Sequence, residues 1–456
     1  MKKKWVILCL IEAYQLGTLF LYLISPIQYR SEHNMTMAIY VVLYQLMFVG
    51  GYLFADRYLI VSHRDHMYLP KFMRPLQDFL HKVHVRFNQV HLNDYMWFLC
   101  ILSFMFSYNS LVRFSISVNP IDIFQDLMAA IKNPDAAYYT NVQISEMGLG
   151  GDAVTMLSTL LAPFYYMIAP LGIYKFKQLT IFNKILLFLV LLMEASTFII
   201  RGQNIGIFRI VLILATIVLL KLGNKKSTPK SRRRILVFAG ILFVGFVFYF
   251  VNGTTARVDN LPTYIGLRRV DYDAWILQIL PQSLWMPFLM ISTYLIQGYY
   301  GLALSFRYPF TSTFGIGSGY FLIENIKRFF NFDVFPWTYQ AKMTYLWPSR
   351  STWHTAYTWF ANDVSHLGVL FVLFVIGVMT YIILNESLKG KLIAILLLPL
   401  ITLMIFFLPA NNVVLSTPYT AVSFVAFLGL FVLYNNIDLD LAKWRKDLKW
   451  TKKSSS

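Results

Sequence analysis

The chain has 456 residues, 57% of them hydrophobic and 14% charged, with a mean hydropathy of +0.56 and a formal net charge of +18. That balance excludes a soluble globular domain, and the basic excess lies between apolar runs, where it reflects membrane orientation and contact with anionic lipid heads rather than nucleic acid. The two cysteines, Cys9 and Cys100, both sit inside apolar runs, which argues against a disulfide framework or a thiolate metal site.

A helix needs roughly 20 apolar residues to cross the hydrocarbon core. Runs of that kind predict about ten spans, near 5–25, 36–56, 95–114, 153–174, 181–200, 204–221, 235–252, 364–385, 391–409 and 417–435. The expected fold is all-α: one integral membrane domain, 1–456, built as a polytopic bundle of 10–12 helices. The first run, MKKKWVILCLIEAYQLGTLFLYLIS, has no small-residue cleavage site and reads as a retained helix. With Lys2, Lys3 and Lys4 inside, the inside segments collect 27 of the 40 Lys and Arg residues. The basic loops 57–94 and 221–234, the latter KLGNKKSTPKSRRR, are then cytoplasmic, as are both termini.

Between the third and fourth spans, NPIDIFQDLMAAIKNPDAAYYTN fits an amphipathic helix on the outer side. Residues 253–362 form a large outer segment. Within it LWMPFLMISTYLIQGYYGLALSF (284–306) is apolar enough to enter the bilayer, and YPFTSTFGIGSGYFLIENI (308–326) is rich in glycine. A single crossing there would put the basic tail outside, so zero or two are expected, as short surface-lying or re-entrant helices. The many tryptophans and tyrosines suit a headgroup belt and could also face sugar rings.

Polar groups at a membrane boundary are costly and usually have a partner or a task. Arg201 stands in a very short turn between LFLVLLMEASTFII and GQNIGIFRIVLIL, beside a helix N-terminus. Both surroundings favour an anion, and a guanidinium matches phosphate oxygens bidentately; snorkelling or an ion pair with Glu194 is the plainer alternative. Arg257, Arg268 and Arg269 follow another span, beside Asp259, Asp271 and Asp273, and read as surface ion pairs or as a clamp for a lipid-borne diphosphate. In SRSTWHTAYTWFANDVSHLG, His354 or Asp363 could take a proton from a hydroxyl, with Arg350 assisting a leaving diphosphate. Asp363 could instead cap the helix that starts VSHLGVLF. His366 reads as a packed helix residue.

Three stretches carry a resemblance: YLIQGYYGLALSF, then FGIGSGYF, then W-H-T-x-Y…D-V-x-x-L-G-V-L at 353–370. With the R-G at 201–202, they resemble the polysaccharide and O-antigen repeat-unit polymerases of the Wzy type, although Val364 and Ser365 depart from the D-F-G-like wording. The resemblance implies a GT-C-like glycosyltransferase of the bacterial plasma membrane that needs no cofactor and no obligatory metal. Its substrates would be polyprenyl-diphosphate-linked oligosaccharides, polymerised on the outer face, with a chain-length-regulating membrane protein as a further partner. It would set Arg201, Arg257, Arg268, Arg269 and Arg350 on the diphosphate, His354 or Asp363 on the acceptor hydroxyl, and Tyr299, Tyr300, Trp353 and Tyr357 on the glycan. An O-antigen-ligase-like transfer and a flippase for the same lipids are the alternatives.

Overall fold

Apolar runs can satisfy their backbone polar groups in hydrocarbon only by coiling, and helices dominate the computed structural model. It describes residues 2–63, 91–146, 153–223, 261–265, 267–349 and 351–439, with isolated positions in 224–260. In chain order come α1 (Lys2–Leu23), α2 (Asn34–Tyr58), β1 (Leu59–His63), α3 (Leu92–Ser115), α4 (Pro120–Lys132) and α5 (Pro134–Glu146). A bent run follows, α6 (Ala153–Leu160), α7 (Ala162–Tyr166) and α8 (Ile168–Tyr174), then α9 (Ile181–Ile199), α10 (Asn204–Gly223), β2 (Tyr264–Ile265) and β3 (Arg268–Arg269). The last third holds α11 (Trp285–Ser305), α12 (Tyr320–Phe330), α13 (Tyr339–Lys342), α14 (Ala356–Leu388), α15 (Leu392–Phe407), α16 (Pro418–Tyr434) and β4 (Asn435–Leu439).

Among the described residues six helices are long and apolar enough to cross a membrane (α1, α2, α3, α9, α10 and α14), or seven if the run bent by 63° after Leu160 counts as one. The expected count of ten is therefore not reached. α15 and α16 are apolar but only 16 and 17 residues long, and the expected span 235–252 lies mostly outside the described residues.

The two ends of the bundle are distinct. At one, β1 pairs antiparallel with β4, Leu59 opposite Leu439, and Lys4 Nζ donates to the Tyr381 hydroxyl at 2.9 Å. At the other, the loop end, Ile27 bridges to Val270 and the Gln28 N–H donates to the Arg269 carbonyl at 2.9 Å. Residue 4 and residues 435–439 thus share an end, opposite the 261–355 region.

The expected short surface helices at 284–306 are replaced by one 21-residue helix, α11, packed against α1 and α2 and buried from Ile296 to Ser305. The glycines of QGYYG allow this. A Cβ on Gly298 would sit 2.6 Å from the Pro409 carbonyl oxygen, and one on Gly301 would sit 2.9 Å from His354 Nδ1. These i,i+3 positions share a face, and the missing side chains let α11 lie directly on the 353–355 and 408–410 segments. α14 breaks at Ser365, whose φ is 64°. Its first half reaches into the bundle, where the Tyr357 hydroxyl donates to Gln15 Oε1 at 3.3 Å and accepts from Gln45 Nε2 at 2.8 Å, near the midpoints of α1 and α2. That half is the re-entrant feature expected of the region, displaced to 356–364.

A candidate anion site of clustered arginines

The turn between α9 and α10 is four residues long because Gly202 closes it. Its φ is +60°, and a Cβ there would fall 2.5 Å from the Pro134 carbonyl oxygen. A left-handed backbone with no room beside it restricts the position to glycine. The turn closes by N–H donation from Gly202 to the Ile199 carbonyl and from Gln203 to the Phe198 carbonyl, both at 2.9 Å. This geometry holds Arg201 between the end of α3 and the face of α5.

There Arg201 Nε donates to Asn141 Oδ1 at 3.2 Å, and its guanidinium lies 4.6 Å from the Phe114 ring centroid and 6.0 Å from that of Phe198. The same two rings hold two more arginines. Arg113 stands 5.6 Å from Phe114, and Arg209 stands 5.0 Å from Phe198 and 4.4 Å from Tyr419. Guanidinium planes over aromatic faces are held by the ring quadrupole without neutralising their charge. Arg209 Nη2 pairs with Glu194 Oε1 at 3.0 Å, and Arg113 Nη1 donates to Thr155 Oγ1 at 3.3 Å. The Nε groups of Arg113 and Arg209 are buried without a hydrogen-bond partner. Loss of water, then repulsion from Arg113 and Arg209, pulls the pKa of Arg201 down to about 10. It remains charged at neutral pH. Three cations thus face one paired carboxylate among the described residues, an arrangement that an anion with two or more charges would complete.

Arg113 and Asn141 had no place in the sequence-based site, and Arg209 was noted only as a charge at depth. An ionisable residue inside an apolar run was the available signal for both arginines. The same signal marks Glu12 in α1, whose Oε1 is buried without a partner.

Other expected site residues lie elsewhere. Arg257 and Arg350 fall outside the described residues. Arg268 stacks on Tyr300 at 4.3 Å, lies 5.8 Å from Trp347 and donates from Nη2 to the Leu346 carbonyl at 3.2 Å, while Arg269 is exposed on β3. This second basic group sits over α11 and is not among the charges acting on Arg201. Tyr299 and Tyr357 are fully buried, and Tyr300 nearly so. Tyr299 meets Thr18 Oγ1 at 3.1 Å. These are core side chains and offer no open face to a sugar, which corrects the expectation. Trp353 is half-buried, edge-on to Tyr294 at 5.0 Å.

His354 and Asp363 form no pair. His354 is buried against Gly301, and neither ring nitrogen closes a hydrogen bond of normal geometry. Burial pushes its pKa down to about 3 against a weaker opposing pull from the Trp347 backbone, so the ring is neutral. Asp363 does not start a helix: α14 begins at Ala356, where Thr355 Oγ1 accepts from the Thr358 N–H at 3.1 Å. Instead both carboxylate oxygens are engaged by the glycine-rich loop 313–318. Oδ1 accepts from the Thr313 hydroxyl and from the N–H groups of Gly315 and Gly317 at 2.8 and 3.0 Å, and Oδ2 accepts from the Ser318 hydroxyl. Asn362 continues the staple, donating to the Gly317 carbonyl at 3.0 Å and to Gln340 Oε1 at 2.9 Å. This role leaves Asp363 poorly placed as a base.

The bundle also encloses an apolar cavity of about 350 Å³ between α1, α10, α14 and α15. Phe406 on its wall packs at 4.8 Å against Phe208, the neighbour of Arg209. No protein-family model matches this chain, and no curated protein or solved structure matches it.

Proposed function

We propose that the chain is a membrane glycosyltransferase acting on polyprenyl-diphosphate-linked oligosaccharides, and that it joins repeat units into a surface polysaccharide at the outer face of a bacterial plasma membrane. The observation that carries this reading is the convergence of Arg113, Arg201 and Arg209 with only Glu194 as a paired counter-charge. In the transfer, an acceptor hydroxyl attacks the anomeric carbon of the donor glycan, a new C–O bond forms, and the bond to the polyprenyl diphosphate breaks. The leaving group gains negative charge as it departs, and arginines already in place stabilise it without reorganisation. The hydroxyl proton passes to a base; His354, neutral and without a firm hydrogen bond, is the candidate this chain supplies. The apolar cavity suits an isoprenoid or acyl chain.

The test is a reconstitution. Purified protein in vesicles, given lipid-diphosphate repeat units and no nucleotide sugar, is expected to yield a ladder of longer glycans, and the Arg201→Ala protein is expected to yield none. Transfer of a single finished glycan to another acceptor would favour the ligase-like alternative. A second reading, translocation of the same lipids, draws on the ionisable groups Glu12, Glu194 and Arg209 within apolar helices. Vesicles that move the lipid across the bilayer and form no ladder would favour it.

A further inference from the structure

Helix α4 has three sectors. At 100° per residue, Ile123, Leu127 and Ala130 share the side packed on the bundle, in a small core with Leu111, Ile200 and Met193. Asp122, Gln125 and Asp126 share a polar sector. A third sector is apolar and open: Ile121 is 66% exposed, Phe124 61%, Met128 39% and Ile131 49%. A water-exposed helix has no use for a second apolar stripe of this size.

What covers it is indicated by continuity. The outward side of α3, one of the membrane-crossing helices, exposes Phe98, Ile101, Phe104 and Met105. The exposed apolar surface continues without a polar interruption through Ile116 and Val118 in the connection to α4. The connection itself is built to turn sharply: Ile116 adopts φ 54°, Asn119 Oδ1 accepts from the Ile121 N–H at 3.1 Å, and Pro120 opens the helix. The chain therefore leaves the bilayer at the end of α3 and immediately presents an amphipathic helix with its open stripe contiguous with lipid-facing surface.

We propose that α4 is an interfacial helix whose Ile121–Phe124–Met128–Ile131 stripe lies in the lipid surface at the loop end of the bundle. Its polar sector then faces headgroups and water, and Lys132, beside the stripe, reaches to phosphate level along its alkyl stem. The inference stands apart from the arginine reading, because lipid burial of α4 is measurable whether or not the arginines bind a phosphate.

The test uses the full chain, with Cys9→Ser and Cys100→Ser, reconstituted in phospholipid bilayers and spin-labelled one site at a time through Phe124→Cys, Ile131→Cys, Gln125→Cys and Asp126→Cys, with Met105→Cys on α3 as the lipid standard. Labels at 124 and 131 are expected to relax with oxygen as the standard does and to be shielded from a water-soluble nickel chelate. Labels at 125 and 126 are expected to show the reverse, with the oxygen-to-nickel ratio several-fold lower. Nickel access at 124 and 131 equal to that at 125 and 126 would put the helix in water and overturn the proposal. Shielding at 124 and 131 from both reagents would mean that protein covers the stripe, a second copy included, and would overturn it equally.

Discussion

Arg201 combines a charge, a planar fork and a turn that cannot relax, and each property has its own test. Removing one preorganised donor for a developing anion costs on the order of 10²–10³ in rate. Arg201→Ala is accordingly expected to lose at least that much polymer-forming activity with protein levels unchanged in the membrane, and Arg201→Lys to recover little because a point charge does not reproduce the fork. Full chain length in Arg201→Ala would remove the residue from the site. Asp363 is expected to behave differently. Asp363→Asn replaces one of two acceptor oxygens that hold the 313–318 loop, and a buried donor left unpaired costs about 1–3 kcal/mol. The variant should melt several degrees lower in detergent; unchanged melting with lost activity would instead restore a chemical role. His354 supplies a pH signature. Its folded pKa of about 3 lies below the usual value near 6.5, so between those values the unfolded chain binds the extra proton and acid destabilises the fold. Melting temperature is expected to fall as pH drops from about 6.5 towards 4, and His354→Gln should flatten that part of the curve.

At the scale of elements, α11 is the least conventional piece, long enough to span but laid against α1, α2 and the start of α14. Its seating depends on Gly298 and Gly301, and a sharp contrast is available. Gly298→Ala drives a methyl group into two carbonyl oxygens and a backbone nitrogen, all within 2.9 Å, whereas a Cβ on Gly17 in α1 meets nothing within 4 Å. Gly298→Ala should lower the melting temperature, and Gly17→Ala should leave it unchanged or raise it through better helix propensity, by about 0.5–1 kcal/mol. Equal responses would show that α11 is not seated on the 408–410 turn. The break at Ser365 belongs to the same construction, because the first half of α14 and the 313–318 loop are held together by Asn362 and Asp363. Sequence periodicity could not reveal it: ANDVSHLGVLF reads as an ordinary helix start, and only the partners of Asp363, some 50 residues away in the chain, show that the backbone reverses there.

For the whole molecule, the structure puts Lys4 and residues 435–439 at one end and the 261–355 region at the other. An impermeant thiol reagent applied to intact cells is expected to label Tyr345→Cys, at 99% exposure the most open site of the loop end, and to leave Asp438→Cys untouched until the membrane is opened. Labelling of both from outside would contradict the shared end of 4 and 435–439. The sign of the asymmetry was legible beforehand, since 27 of 40 basic residues fall on one set of loops, and charge count does not depend on packing.

The sequence by itself determined that this is a helical membrane protein and where most of its long helices run, because hydrocarbon imposes one backbone solution on any sufficiently long apolar run. Those rules are local, and a window of 20 residues contains all they need. Tertiary structure alone decided which polar residues meet. Arg113, Arg201 and Arg209 come from three helices, Asp363 meets a distant loop, and Tyr299 and Tyr357 turn inward, because the position of a charge or a ring depends on helix rotation and crossing. Those are set by side-chain packing between segments far apart in the chain.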